Sequence, residues 1–176
     1  MAENIEIKAR CLNFNATQDK IQEIASEFLG TDYQRDTYYR VKNGRLKLRE
    51  SKIDGAYLIP YLRSDISSPK KSVYTKINIV NPDEVKKLFH SIFGIHLIVT
   101  KRRDIYIYEN VRIHLDKVDH LGDFIELEAV LKAPYSDPQI ENKKVKFLME
   151  ILNITKADLL AESYESMLKK RIKTST

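Results

Sequence analysis

The sequence holds a single cysteine, Cys11, among its 176 residues. One thiol cannot close an internal disulfide, so the fold is expected to stand without covalent staples, as in a reducing compartment. No apolar run approaches the roughly 20 residues of a helical membrane span, and the opening Met-Ala-Glu-Asn-Ile-Glu has neither the basic region nor the apolar stretch of a secretory leader. The expected location is the cytoplasm, with no membrane partner. Also missing are a Gly-rich phosphate loop, a Ser-His-Asp arrangement and Cys/His zinc spacing. Repeats, low-complexity tracts and linkers are lacking too, so one domain over residues 1–176 is expected.

What the chain does have is charge. Charged residues make up 31%, the net charge is +5 and the pI about 9.1. A basic balance suits a polyanion, but a nucleic-acid surface and a phosphate pocket predict the same sign. The basic helix segments Lys86-Lys87, Lys143-Lys144 and Lys169-Lys170-Arg171 are mixed with acids, which argues against nucleic acid.

Helical spacing appears in a few places. Thr17 can cap a segment with Ile21, Ile24, Ala25 and Phe28 on one face, ended by Gly30. Asn81-Pro82 opens a second, striped by Val85, Leu88, Phe89 and Ile92 and stopped by Gly94. Asp137-Pro138 opens a third, with Val145, Leu148, Met149 and Leu152. Thr155 to Asp158 reads as an acidic cap on a last helix through Tyr164, Met167 and Leu168, so the C-terminal helices span about 138–170.

Elsewhere the period is two. Strands are expected over 3–11, 36–42, 45–51, 56–64, 71–80, 96–108, 110–119 and 123–132, with turns at Asn43-Gly44, Asp54-Gly55, Glu109-Asn110 and Leu121-Gly122. One face of these strands is charged throughout. It carries Glu6, Lys8 and Arg10; Arg45, Lys47 and Arg49; Tyr61 and Arg63; Tyr74 and Lys76; Lys101 and Arg103; Arg112, His114 and Asp116; Phe124, Glu126 and Glu128. Leu46, Leu48, Val111, Ile113, Leu115, Ile125 and Leu127 take the opposite phase.

The apolar stripes of the helices need a sheet face to cover. With the apolar strand faces under the helices, the charged faces turn inward. The expected fold class is α+β: an eight-stranded antiparallel β-barrel, a tunnel with a charged lumen and helices packed outside. About nine or ten cations facing about four carboxylates would repel one another in an empty lumen. A polyphosphate bound with a divalent ion, Mg²⁺ or Mn²⁺, would relieve both sets.

Several segments in order carry a resemblance. They are N-I-E-I-K (4–8), D-T-Y-Y (36–39), L-K-L-R-E (46–50), Y-L-R (61–63), P-K-K-S-V-Y (69–74), K-R-R (101–103), R-I-H-L-D (112–116), L-G-D-F-I-E-L-E (121–128) and E-S-Y-E-S-M-L (162–168). Together they resemble the CYTH superfamily, the triphosphate tunnel metalloenzymes, and are most similar to its class IV adenylyl cyclase branch. The resemblance implies that Lys8, Lys47, Arg49, Arg63, Lys76, Lys101, Arg103 and Arg112 grip phosphate oxygens. It implies that Glu6, Asp116, Glu126 and Glu128 hold or position metal, with Glu6, Glu126 and Glu128 essential to catalysis. The partner implied is ATP or a related triphosphate; a homodimer stays open.

The chain departs from the family signature Glu-x-Glu-x-Lys, because its first position is Asn4, a ligand without charge. One metal site or two therefore stays open. Cyclisation of ATP is the leading expectation. Hydrolysis of a nucleoside, inorganic or thiamine triphosphate is the alternative, and a non-catalytic polyphosphate-binding module the second. Cys11 reads as a structural thiol and His114 as a structural hydrogen-bonder or proton shuttle. Tyr38, Tyr39 and Tyr61 read as packing for a base or for the lumen ends, and the Pro69-Lys70-Lys71 loop as a lid or a solvated turn.

Overall fold

The computed structural model describes residues 3–62, 73–131 and 137–174. In chain order the elements are β1 (Glu3–Arg10), α1 (Phe14–Ile24), β2 (Glu27–Tyr39), β3 (Arg45–Ser51), β4 (Gly55–Leu62), β5 (Val73–Tyr74), β6 (Ile77–Asn78), α2 (Pro82–Phe93), β7 (Ile95–Tyr108), β8 (Val111–Val118), β9 (Gly122–Leu131), α3 (Pro138–Ile151) and α4 (Tyr164–Thr174), with a 3₁₀ turn at Lys156–Asp158 before α4. Arg63, Ser72 and the Pro69-Lys70-Lys71 loop lie outside the described residues.

The strands form one antiparallel sheet in the order β1-β9-β8-β7-β2-β3-β4-β5, with β6 also on β4. Closure is where the expectation of a barrel is not met: among the described residues no ladder joins β1 to β5. Part of the outer edge of β1 is covered instead by the segment before α4. Ala9 bridges Leu159, and the Leu160 amide donates to the Lys8 carbonyl at 2.8 Å.

The sheet is nevertheless strongly curled. Five strand-to-strand steps separate β1 from β3, about 24 Å in a flat sheet. Yet two adjacent residues of α4 touch both: Tyr164 lies under Lys8 of β1, and Glu165 is 3.3 Å from Arg45 of β3. At the far end of the order, the Tyr74 phenol is pushed up by burial and by the carboxylates of Glu128 and Glu6. The charged phase thus lines the concave face.

The convex face holds the larger core. Ala9, Val111, Ile113, Leu115, Ile125, Leu127 and Ala129 pack against Phe14 and Ile21 of α1 and Val145, Leu148 and Leu152 from α3 and its end. Ile5 and Ile7 pack on this cluster, as alternation in β1 requires. Burial of each large aliphatic here is worth about 1.5–3 kcal/mol.

Several element boundaries differ from the sequence expectation. Asn13, not Thr17, caps α1, its side chain accepting from the Ala16 amide at 3.2 Å. The helix stops at Ile24 because the Ser26 amide bonds to Ile107 of β7, and Phe28 lands on β2 with its ring 4.7 Å from Tyr106. Gly30, at φ +125, sits at a register shift in β2 rather than ending a helix. Among the described residues, the strand expected over 71–80 shows the short β5 and β6.

One helix is placed against expectation. α4 packs on the concave face, where Tyr164 and Leu168 join Tyr38, Leu97, Val99, Val118 and Phe124. These strand residues share the phase of the cations but lie toward one end, so that end of the charged face is apolar and needs a helix to cover it.

Candidate active site

Register brings the charged residues together. Glu6, Lys8 and Arg10 of β1 stand opposite Glu128, Glu126 and Phe124 of β9, which stand opposite Arg112, His114 and Asp116 of β8. Asp116 in turn faces Arg103 of β7. Arg103 faces Asp32 of β2, and Asp36 of β2 faces Arg49 of β3.

Two ion networks occupy the middle of the trough. In the first, Asp36 accepts from Lys47 Nζ and from Arg49 Nε and Nη2, each at 2.7 Å. In the second, Arg103 forks onto Asp116, Nε at 2.7 Å and Nη2 at 2.6 Å, and Nη2 also donates to Glu126. Tyr164 donates its hydroxyl to Asp116 at 2.8 Å, and Lys101 Nζ is 3.6 Å from the same carboxylate. Lys8 Nζ is 3.0 Å from Glu126 and 3.8 Å from the centre of the Tyr164 ring.

The cations expected in the lumen are partly matched within these two networks. Asp36, Asp116 and Glu126 stand among Lys8, Lys47, Arg49, Lys101 and Arg103 as internal counter-charges. Five cations against three carboxylates leave a surplus of two when all are ionised. Asp36, inside the strand expected over 36–42, is a member of the site that the expected charged face lacks. The alternation Asp32-Gln34-Asp36-Tyr38 was the signal that would have extended that strand. Asp32 fastens the turn between β3 and β4, accepting from Ser51 and from the Lys52 and Ile53 amides.

Burial and pairing set the charges. Burial works against ionised Asp36 and Glu126, but Arg49 and Lys47 around the first, and Lys8 and Arg103 around the second, hold both well below the usual carboxylate range. Burial, then the neighbouring Arg103, pulls Lys101 down to about 7 despite Asp116. Burial and Arg49 pull Lys47 down to about 8 despite Asp36. His114 is buried with Nδ1 3.7 Å from Glu126, and burial and Arg103 lower its pKa.

The remaining expected residues divide by position. Glu6 is exposed rather than shielded, a correction that follows from its place toward the open end of β1. Arg112 is half exposed and 3.9 Å from Glu128. Lys76 is exposed, its Nζ 5.3 Å from the centre of the Tyr57 ring. Arg10, also exposed, and Arg45 lie toward the apolar end; Arg45 bonds Glu165 and Ser166 of α4, and His96 meets the same Glu165 at 3.2 Å.

Among the described residues no three His, Cys, Asp or Glu side chains converge as a ready metal cage. Asp116 is fully enclosed by Arg103, Lys101 and Tyr164 and offers an ion no open oxygen. Glu6 and Glu128 are register partners, so both side chains leave the concave face next to each other at its solvent-open end. Two carboxylates completed by water and phosphate oxygens suit Mg²⁺ or Mn²⁺.

The sequence model of the CYTH domain family matches residues 2–164. A Methanocaldococcus jannaschii protein with the name “Putative adenylate cyclase” is 25% identical over 173 residues, covering 91% of this chain and 95% of its own. A solved protein of Pyrococcus horikoshii OT3 has the same fold, with a TM-score of 0.78 at 24% identity over 93% of this chain and 98% of its own. So does a Hippeastrum protein, named as a putative adenylyl cyclase with a dominant triphosphatase activity, with a TM-score of 0.66 at 13% identity over 97% of this chain and 96% of its own. No helix among the described residues is long and apolar enough to cross a membrane. With its model matched across nearly the whole chain and the charged concave sheet in place, this protein belongs to the CYTH domain family, phosphoryl-transfer enzymes of adenylyl cyclase-like or triphosphatase type that act on triphosphates with divalent metal.

Proposed function

We propose that the chain converts ATP to cyclic AMP and pyrophosphate in the trough, with Mg²⁺ or Mn²⁺ held by Glu6 and Glu128. The observation that carries this reading is the surplus of cations on a concave face beside two register-paired carboxylates at its open end. Lys8, Lys47, Lys101, Arg49 and Arg103 bind and orient the phosphates, and Arg112 guards the open end. Arg63 and Lys76 are assigned to the same phosphate set. Asp36, Asp116 and Glu126 keep the forks of these cations aimed, so little reorganisation is needed as charge builds on the leaving group. The metal supplies polarisation of the phosphoryl oxygens beside the nucleophile.

Position favours attack at the phosphate next to the sugar. Lys8 lies two residues, about 7 Å, along β1 from Glu6, a span comparable with a triphosphate. If the outer phosphates lie by Lys8 and Lys101, the first phosphate lies by Glu6 and Glu128. The Hippeastrum relative keeps terminal hydrolysis as the second reading. Incubation with ATP and Mn²⁺, followed by separation of products, decides. Cyclic AMP with pyrophosphate is expected, ADP with phosphate selects the triphosphatase, and inertness toward ATP, inorganic triphosphate and thiamine triphosphate alike overturns both.

Binding is also expected to take up protons. Lys101, with a pKa of about 7, and Lys47, with one of about 8, are partly neutral in the free protein at pH 8. A polyanion favours their charged forms and raises both values. Roughly one proton is taken up at pH 8, and affinity falls as pH rises above 7. Calorimetry in two buffers of different ionisation enthalpy measures the uptake; identical apparent enthalpies and a flat affinity from pH 7 to 9 would count against it.

A further inference from the structure

Among the described residues, helices cover only part of the outer face of the sheet. α1 reaches Asp104 of β7 through Gln18, and α2 sits over the far end of β2, where Phe89 meets Tyr39 with ring centres 5.4 Å apart. Between these contacts the outer phase of β2 carries Tyr33 and Arg35, alternating with Asp32 and Asp36 of the trough. Tyr33 is 55% exposed, and Lys52 Nζ stands 5.6 Å from its ring centre. Register sets Arg35 opposite Thr100 of β7 on one side and Glu50 of β3 on the other. These five residues line a groove of about 320 Å³, within the range of small-molecule sites. Among the described residues neither Arg35 nor Lys52 has an ion-pair partner. Glu50 is answered on one oxygen only: Lys86 of α2 donates to Oε1 at 2.8 Å, and the buried Oε2 has no donor among the described residues. On the same face, beyond the groove, the buried hydroxyls of Thr37 and Tyr39 also lack partners there.

We infer that this groove is a second binding site, separate from the trough, for a small ligand that joins a planar ring bearing an N–H donor to one phosphate monoester, the chemistry of a nucleoside monophosphate. The ring stacks on the open face of Tyr33, as bases do on exposed aromatics. The doubly charged phosphate balances Arg35 and Lys52, and the Arg35 guanidinium offers it a fork of two N–H donors. Lys86 already neutralises Glu50, so that carboxylate does not drive the phosphate away, and its Oε2 takes the N–H of the ring. A triphosphate brings more charge than two cations balance and finds the larger set in the trough. The site does not depend on the triphosphate reading. Arg35 and Asp36, like Glu50 and Arg49, point to opposite sides of the same two strands.

Backbone amide shifts, followed by NMR as AMP is added, locate the ligand without any variant. Saturating shifts at Tyr33, Arg35, Lys52 and Thr100 are expected, with a Kd below about 1 mM. Shifts confined to β1, β8 and β9 would put AMP in the trough, and an unchanged spectrum at about 5 mM would mean no site; either overturns the inference. Adenosine, which lacks the phosphate, and ribose 5-phosphate, which lacks the ring, should each bind at least about tenfold more weakly than AMP. Ribose 5-phosphate binding as tightly as AMP would leave a bare anion contact and remove the assignment. Tyr33→Ala changes an exposed residue and should weaken AMP by at least about fivefold, the low end of the stacking contribution. Unchanged affinity in Tyr33→Ala overturns the inference as well.

Discussion

Asp116→Asn will lower the unfolding free energy by about 3–5 kcal/mol, the usual cost of breaking one side of a buried ion pair. Asp116 has no exposed surface and compensates Arg103 directly and Lys101 at 3.6 Å. The amide keeps the shape and one acceptor oxygen but removes the charge, leaving Arg103 to Glu126 alone. For a domain of this size the change corresponds to a Tm shift on the order of 10 °C. Urea unfolding at pH 7 reads it, and a loss below about 1 kcal/mol would refute the role given to this carboxylate.

The pH dependence supplies an independent sign. Burial opposes the charge on Asp116, but Arg103 and Lys101 outweigh it and hold the pKa at about 2. A depressed carboxylate contributes stability that is complete above its unfolded value of about 3.9 and is lost as pH falls through its folded value. The gap between wild type and Asp116→Asn should therefore narrow as pH falls from about 4 to about 2, and narrow again as pH rises through about 7, where Lys101 gives up the proton that Asp116 favours.

How much of this was legible in the chain depends on what each feature needs. The faces of β1, β3, β8 and β9 were readable because period two is enforced by the backbone and each strand has one apolar side under α1, α2 or α3. α2 and α3 were readable from Pro at the start of each and, for α2, Gly94 after its end. The start of β2 was not, because Ile21, Ile24 and Phe28 fit a helical period although tertiary pairing with β7 claims Ser26 onward. Residues 27–35, outside the expected strands, carry Asp32 onto the face that also holds Asp36.

The site shows the same division. Which residues share the charged face follows from alternation alone, and the structure puts Lys8, Lys47, Arg49, Lys101, Arg103 and Glu126 into two adjoining networks. Nothing local in E-S-Y-E-S-M-L says that Tyr164 crosses to the concave face, since that depends on Leu97, Val99, Val118 and Phe124 forming an apolar end across three other strands. Nor does alternation separate a buried counter-ion from an exposed ligand: Asp116 and Glu6 carry the same phase and opposite exposures.

That separation leads to the larger functional effect. Glu128→Gln is expected to lower turnover by about 10²–10³-fold. Glu128 is partly open and 3.9 Å from Arg112, and Gln replaces its shape. Glu6→Gln should behave alike, being its exposed register partner. Glu126→Gln should differ, costing stability as well as activity, because Lys8 and Arg103 both depend on its charge. Mn²⁺ binding followed by electron paramagnetic resonance separates the cases without reference to turnover. Affinity should fall in Glu6→Gln and Glu128→Gln, and rise in Asn4→Glu, which adds a carboxylate two residues before Glu6 in β1. Wild-type Mn²⁺ affinity in both Gln variants would move the metal away from the mouth, and with it the reason for placing the reacting phosphate there.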